Sequence, residues 1–204
     1  LERDFLILLT MAPNLADILE QPVHLEWKDK TGRTHPYTPD YLVTFGERRD
    51  QRMLFEIKYQ VDLQADWNTL KYGFVTARRF ARANGMTFHV MTEVQIFGPF
   101  LENARFLRRY RVIERNAAAE EHLVSTLAVL GETSAQALLA AAYASSENRI
   151  EAIAPLWRLV ATGRVHADLF KPLTMATPLW VIVGEGYIWQ DPHSIRSFPV
   201  RRSR

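Results

Sequence analysis

Polar and apolar positions change period several times along this chain, and each change marks an element. Residues 2–10, ERDFLILLT, set Phe5, Leu6, Leu8 and Leu9 on one broad stripe, which predicts a helix opened by Glu2 and ended at Pro13 and Asn14. Leu15 to Glu20 reads as a second short helical segment before Pro22. The spacing then becomes strand-like: Val23–Trp27, Arg33–Phe45 and Arg52–Tyr59 are expected strands, divided by turns at Lys28–Gly32 and Gly46–Gln51. A three-stranded meander is their simplest layout. Between Leu63 and Asn84 the apolar positions Trp67, Leu70, Phe74, Ala77 and Ala81 recur at helical steps, with Lys71, Arg78 and Arg82 on another face and Gly85 as the cap. Thr87–Ile96 follows as a strand, and the helix crossing before it places it parallel to its neighbour. After Gly98 and Pro99, LENARFLRRYRV forms a basic helix expected to close the first domain.

The second half has a different character. Arg115–Leu130 reads as a helix stopped by Gly131, and Thr133 with Gln136 forms a capping box for the alanine-rich run that follows. Ser146 is a candidate cap for a third helix, with Pro155 marking a kink or a start near Ala154 and Gly163 the end. Arg164–Phe170 and Pro178–Val183 look like strands, and Gly184–Gly186 turns into Tyr187–Gln190. Three helices followed by a β-hairpin is the order of a winged helix. The expected domains are residues 1–112 and 113–204, meeting softly between Arg111 and Glu120.

Composition narrows the class. The 204 residues suffice for one large domain or two small ones, and the 48% hydrophobic fraction can fill a core. Without cysteine there are no disulfides and no thiolate metal ligands, which suits a reducing compartment, the cytoplasm. No apolar run reaches the roughly 18 residues of a membrane span, and the charged start has no signal-peptide order. The net charge is only +2, but the arginines are clustered: Arg78, Arg79 and Arg82; Arg105, Arg108, Arg109, Arg111 and Arg115; and Arg196, Arg201, Arg202 and Arg204. Such clusters form solvated faces, or they meet phosphates.

The chemistry concentrates between Thr38 and Tyr59, TPDYLVTFGERRDQRMLFEIKY. Pro39-Asp40 on one strand and Glu56-Ile57-Lys58 on the next have the PD...(D/E)xK spacing of metal-dependent nucleases. Alternation sends Glu56 and Lys58 to one face and Phe55 and Ile57 to the other, and pairing of the strands brings Asp40 near. Two carboxylates beside an ammonium suit a divalent cation between the carboxylates, with the lysine close to the attacked phosphate. The same residues also fit a half-buried hairpin with solvated charges. The apolar flank of Leu42, Val43, Leu54, Phe55 and Ile57 argues for central strands, where unpaired charge is costly. Oxygen ligands favour Mg2+ or Mn2+ over zinc, and His24, His35 and His89 lack zinc-motif spacing. Tyr59 and Trp67 read as packing residues, and Gln21 and Gln60 as more distant candidates for the site.

In that order and at matching separations, LERDFLILL, EQPVHLEW, YTPDYLV and LFEIKY resemble the TnsA endonuclease subunits of heteromeric bacterial transposases over about residues 1–110. The resemblance implies a restriction-endonuclease-like α/β domain, a mixed sheet flanked by helices, ahead of the winged helix. It implies catalytic roles for Glu2, Asp40, Glu56 and Lys58, with metal held by Glu2, Asp40, Glu56 and the carbonyl of Ile57. Glu56 stands where some members carry glutamine. It further implies cleavage of the 5′ strand at transposon ends, beside a DDE transposase, TnsB, and an AAA+ ATPase, TnsC, in a bacterial cytoplasm. Lys71, Arg78, Arg82, Arg105, Arg108 and Arg109 are candidate DNA contacts. Arg149, Arg158 and Arg164 are candidate phosphate contacts of a recognition helix, although its apolar face of Ile150, Ile153, Leu156, Trp157 and Val160 suits protein docking better. Two other functions fit the same residues: a DNA-binding assembly protein with a degenerate nuclease fold, and a restriction or repair nuclease acting alone.

Overall fold

A computed structural model describes the chain except residues 13, 47–50 and 183–204. The expected turn at Gly184–Gly186, the strand Tyr187–Gln190 and the arginines of the tail therefore lie outside the described residues. The chain divides into two compact units, the first covering Leu1–Phe97 and the second beginning at Gly98.

The first unit is a mixed α/β layer. It contains α1 (Glu2–Leu9), β1 (Leu15–Glu20), β2 (Leu25–Lys28), β3 (Thr34–Tyr37), β4 (Tyr41–Phe45), β5 (Gln51–Ile57), α2 (Gln60–Ala65), α3 (Trp67–Ala83), β6 (Thr87–Met91) and α4 (Glu93–Ile96). Four strands form one sheet in the order β1-β4-β5-β6, with β6 parallel to β5 and the other neighbours antiparallel. β4 and β5 are thus central, as their apolar flank requires: Val43, Leu54, Phe55 and Ile57 are buried. Phe5 of α1 packs on Tyr41 and Phe55 at ring distances of 5.8 and 4.9 Å. Phe74 of α3 meets Phe88 and the edge of Tyr37 at 5.8 and 6.0 Å.

Three expectations change here. Leu15–Glu20 is a strand, because LADILE pairs along β4 and pairing overrides a weak local helical preference. The meander is absent: β2 and β3 form a separate two-stranded hairpin, and the chain leaves it at Thr38-Pro39 to enter the larger sheet. Proline has no N–H to continue a ladder, so the break falls there. The strand expected over Thr87–Ile96 stops at Met91, since Thr92 caps α4, its hydroxyl accepting from the Val94 N–H while Gln95 Oε1 takes the Thr92 N–H at 2.8 Å.

The second unit contains α5 (Pro99–Arg111), α6 (Ala117–Leu130), β7 (Thr133–Ser134), α7 (Ala135–Ala142), α8 (Ser146–Glu151), α9 (Ile153–Ala161) and β8 (Pro178–Leu179). α5, expected to close the first domain, belongs here: it packs along α9, and the amide of its buried Asn103 donates to Leu169 and Lys171 carbonyls at 2.8 and 2.7 Å. Ser134 rather than Thr133 caps α7, and Ser145 rather than Ser146 caps α8, each hydroxyl accepting the N–H of the residue three positions on. Pro155 sits in the first turn of α9, where a missing N–H costs nothing. The two strands expected after α9 shrink to β8, paired with β7, and a single bridge between His166 and Trp180.

Glu120 anchors this unit. It is fully buried on α6, and its carboxylate receives Arg115 at 3.1 Å, Arg158 at 2.7 Å and Arg164 at 2.9 Å. Arg158 and Arg164 are thus engaged by the buried Glu120, and Arg149 is bonded back to the Ala144 and Ser145 carbonyls. Most of α9 is buried, Leu156, Trp157 and Val160 included. Among the described residues no helix is long and apolar enough to cross a membrane.

Candidate active site

The end of β5 gathers the charged residues of the first unit. Extending the pairing of Tyr41 with Phe55 by two residues sets Pro39 opposite Ile57. Pro39 has no N–H to offer, and the Ile57 N–H is taken by the Asp40 carboxylate, Oδ2 accepting at 2.6 Å. The next amide, Lys58, donates the other way, to the Met91 carbonyl at 3.0 Å. Within a strand the N–H and C=O of one residue point to the same side, so the Ile57 carbonyl also looks toward Asp40.

Glu56 lies on the α3 side of the sheet and is only 4% exposed. One of its oxygens, Oε2, accepts from the Tyr37 hydroxyl at 2.7 Å; the other, Oε1, faces the Lys58 ammonium at 3.5 Å. Alternation delivers Glu56 and Lys58 to the same face, as the sequence requires. Glu2, in the first turn of α1, approaches through Tyr41, whose hydroxyl is 3.4 Å from Glu2 Oε2.

The electrostatics show a site short of positive charge. Burial lifts the Asp40 carboxyl above the usual carboxylate range; the Glu2 charge adds to the lift, and the Ile57 N–H and Lys58 oppose it. Burial likewise raises Glu56, assisted by Asp40 and opposed by Tyr37 and Lys58. The Tyr37 phenol is driven far upward by burial and by Glu56, so it remains a donor. Burial, with Glu2, pushes Tyr41 up to about 12.

A hard divalent cation would suit this donor set. Asp40, Glu56 and Glu2 offer carboxylate oxygens, the Ile57 carbonyl faces the same place, and burial raises the two inner carboxyls, a cost that a bound cation would offset. As the side chains stand, no three His, Cys, Asp or Glu side chains among the described residues converge into a metal cage. The carboxylates would have to rotate inward around an ion.

The other candidates take the following partners. His24, His35 and His89 bond Thr38, Asp29 and Thr87, each at 2.8 Å. Gln60 donates its backbone N–H to Glu93 at 2.9 Å. Gln21 adopts φ +46° and gives its N–H to the Asp40 carbonyl at 2.8 Å, a left-handed residue beside Asp40. Tyr59 and Trp67 are more exposed than packing residues should be, at 42% and 51%, although Trp67 keeps an edge contact with Phe74. Lys71, Arg78 and Arg82 are on α3, with Lys71 reaching Asn68 at 3.1 Å. Arg105, Arg108 and Arg109 are on α5 of the second unit. There Arg105 pairs with Glu102 at 2.7 Å, and Arg109 lies over the Phe106 ring at 5.1 Å.

The residue that the sequence did not reveal is Tyr37. Its only signal is an aromatic ring with a polar tip on a strand, which needs a partner once buried. Gly73 makes room for it: a Cβ there would stand 2.6 Å from Tyr37 Cδ2 and 2.9 Å from Cγ.

Residues 12–93 match the family model described as TnsA-like endonuclease N terminal. This segment is similar to the TnsA-like endonuclease N-terminal domain. The TnsA-like match includes Asp40, Glu56 and Lys58 and begins after Glu2. No curated protein matches the chain at a significant level.

Proposed function

We propose that the chain is a Mg2+- or Mn2+-dependent DNA endonuclease of the PD-(D/E)xK type that works in transposition. It cuts the 5′ strand at each transposon end while a DDE transposase processes the other strand under an AAA+ regulator. The observation that carries the chemistry is the meeting of Asp40, Glu56 and Lys58 at the end of β5, with the Asp40 carboxylate locked to the Ile57 amide. The TnsA-like match supplies the biological setting. In the second unit, the order α6, β7, α7, α8, α9 and β8, with β8 returning to β7, supports a winged helix that docks a protein partner.

A bound cation would neutralise charge at the phosphorus and activate the attacking water. Asp40 and Glu56, with Glu2 and the Ile57 carbonyl, would hold it. Tyr37 fixes one Glu56 oxygen and leaves the other directed toward Lys58. The Lys58 ammonium then sits one strand step from the carboxylates, placed to orient the water and to stabilise charge developing on the phosphate.

The test is Mg2+-dependent nicking of transposon-end DNA in the presence of the partner transposase. Asp40→Ala and Lys58→Ala should each lower the rate by about two to three orders of magnitude, the scale of losing one electrostatic group. Equal cutting by wild type and variants refutes the site. Efficient cutting without any partner would identify a nuclease that acts alone.

A further inference from the structure

We propose that the β2–β3 hairpin is an arm that grips the phosphate backbone of duplex DNA beside the active site, through Lys28, Lys30 and Arg33. The proposal rests on the endonuclease reading above and names where the substrate lies.

The turn of the hairpin is built from within. Asp29 accepts from the Thr31 N–H at 2.8 Å, the Thr31 hydroxyl at 2.6 Å and the Arg33 N–H at 3.1 Å, and it holds His35 Nε2 at 2.8 Å. These bonds keep the Asp29 carboxyl well below its ordinary range and use its charge on the turn itself. Lys28, Lys30 and Arg33 are exposed, and no ion pair engages them among the described residues. Cations that stabilise nothing in their own fold are free to neutralise phosphates.

The inner face of the arm decides what kind of partner fits. Trp27 stacks on His35 at 4.4 Å and on Tyr72 of α3 at 4.8 Å. The stack is a brace that fixes the arm to α3, and the exposed charge of the arm lies in the cations of its tip. Lys71 adds a further cation beside the stack, 5.2 Å from the centre of the Tyr72 ring. Contact with DNA is then electrostatic and indifferent to sequence.

The base of the arm fixes its position. Tyr37, the last residue of β3, bonds Glu56, and three residues later the chain reaches Asp40. Four extended residues separate Tyr37 from Arg33, about 13 Å. A duplex whose scissile phosphate meets Lys58 would present phosphates a few nucleotides away to the tip.

The experiment measures binding of the full chain to a short labelled duplex by fluorescence anisotropy, in EDTA, across a salt series. In the Lys28→Gln/Lys30→Gln/Arg33→Gln variant the slope of log K against log salt should flatten by about 0.9 for each lost contact, about 2.7 in all. Should the triple variant melt early, the three single variants carry the test, each flattening by about 0.9. An unchanged slope overturns the arm, as does a wild-type chain that binds no duplex. Nicking by the wild type is scored separately. An unchanged slope with nicking intact removes the arm and leaves the nuclease standing; a flattened slope with no nicking under any condition does the reverse.

Discussion

Gly73→Ala should destabilise the first unit, although alanine is the better helix former. In an open helix interior the exchange would gain about 1 kcal/mol. At position 73 the new methyl meets the Tyr37 ring at 2.6 and 2.9 Å, so the ring or the helix must give by roughly 1 Å to restore ordinary carbon contact near 3.5–4 Å. Tyr37 is poorly able to give. Its hydroxyl is fixed to buried Glu56 at 2.7 Å, and a shift of that size breaks the bond. A hydrogen bond to a charged group is worth about 1.5–3 kcal/mol, and overpacking costs about 1–3 kcal/mol. The clash therefore wins, with a net loss of about 2 kcal/mol and a fall in Tm of about 8–16 °C for a unit of this size. In a Tyr37→Ala background the sign should reverse, because the obstacle is gone and only the helix preference remains. Thermal melts of the four proteins in this double-mutant cycle measure both effects. A Gly73→Ala protein that melts above wild type with Tyr37 in place would refute the argument, and with it the idea that α3 holds Glu56 through Tyr37.

Three more outcomes are expected. Folding raises the affinity of Asp40 and Glu56 for protons, so the native state binds more of them than the unfolded chain, and stability contributed by these groups should fall as pH rises above the ordinary carboxylate values of 3.8 and 4.5. Urea midpoints across that range should decline, and Asp40→Asn/Glu56→Gln should flatten the decline; a slope the double variant leaves untouched argues against it. Glu120→Ala strands three arginines around a buried site and should cost roughly 3–5 kcal/mol in urea unfolding, whereas a loss under 1 kcal/mol would mean the arginines re-solvate freely. Gln21→Gly relaxes the left-handed residue beside Asp40 and should raise Tm slightly, the relief of about 1–2 kcal/mol outweighing about 0.5–1 kcal/mol for the added freedom of glycine. A lower Tm would show that the side chain of Gln21 contributes more than its backbone costs.

What could be read from the sequence was local. Glu56 and Lys58 share a face because strands alternate, and the apolar residues around them mark the centre of a sheet, so the core of the site was visible in a dozen letters. Non-local features were hidden. Tyr37 reaches Glu56 across nineteen positions, a distance over which no spacing rule operates. LADILE carries neither period strongly, and only the presence of β4 beside it decides for a strand. LENARFLRRYRV is as amphipathic as expected, yet which unit it joins depends on where α9 offers an apolar stripe. The helix caps slipped by one residue because Thr133 and Ser134, like Ser145 and Ser146, are equally good caps, and pairing of Thr133 with Leu179 chooses between one such pair.

The three arginines around Glu120 come from segments far apart in the chain, Arg158 lying 38 residues and Arg164 44 residues beyond it. Until Arg164 has emerged, a nascent chain carries the Glu120 charge with incomplete neutralisation, and α6 has reason to stay wet. Shortened forms that stop within α9 should accordingly be aggregation-prone, while those that stop beyond Trp180 keep both the acid and its cations.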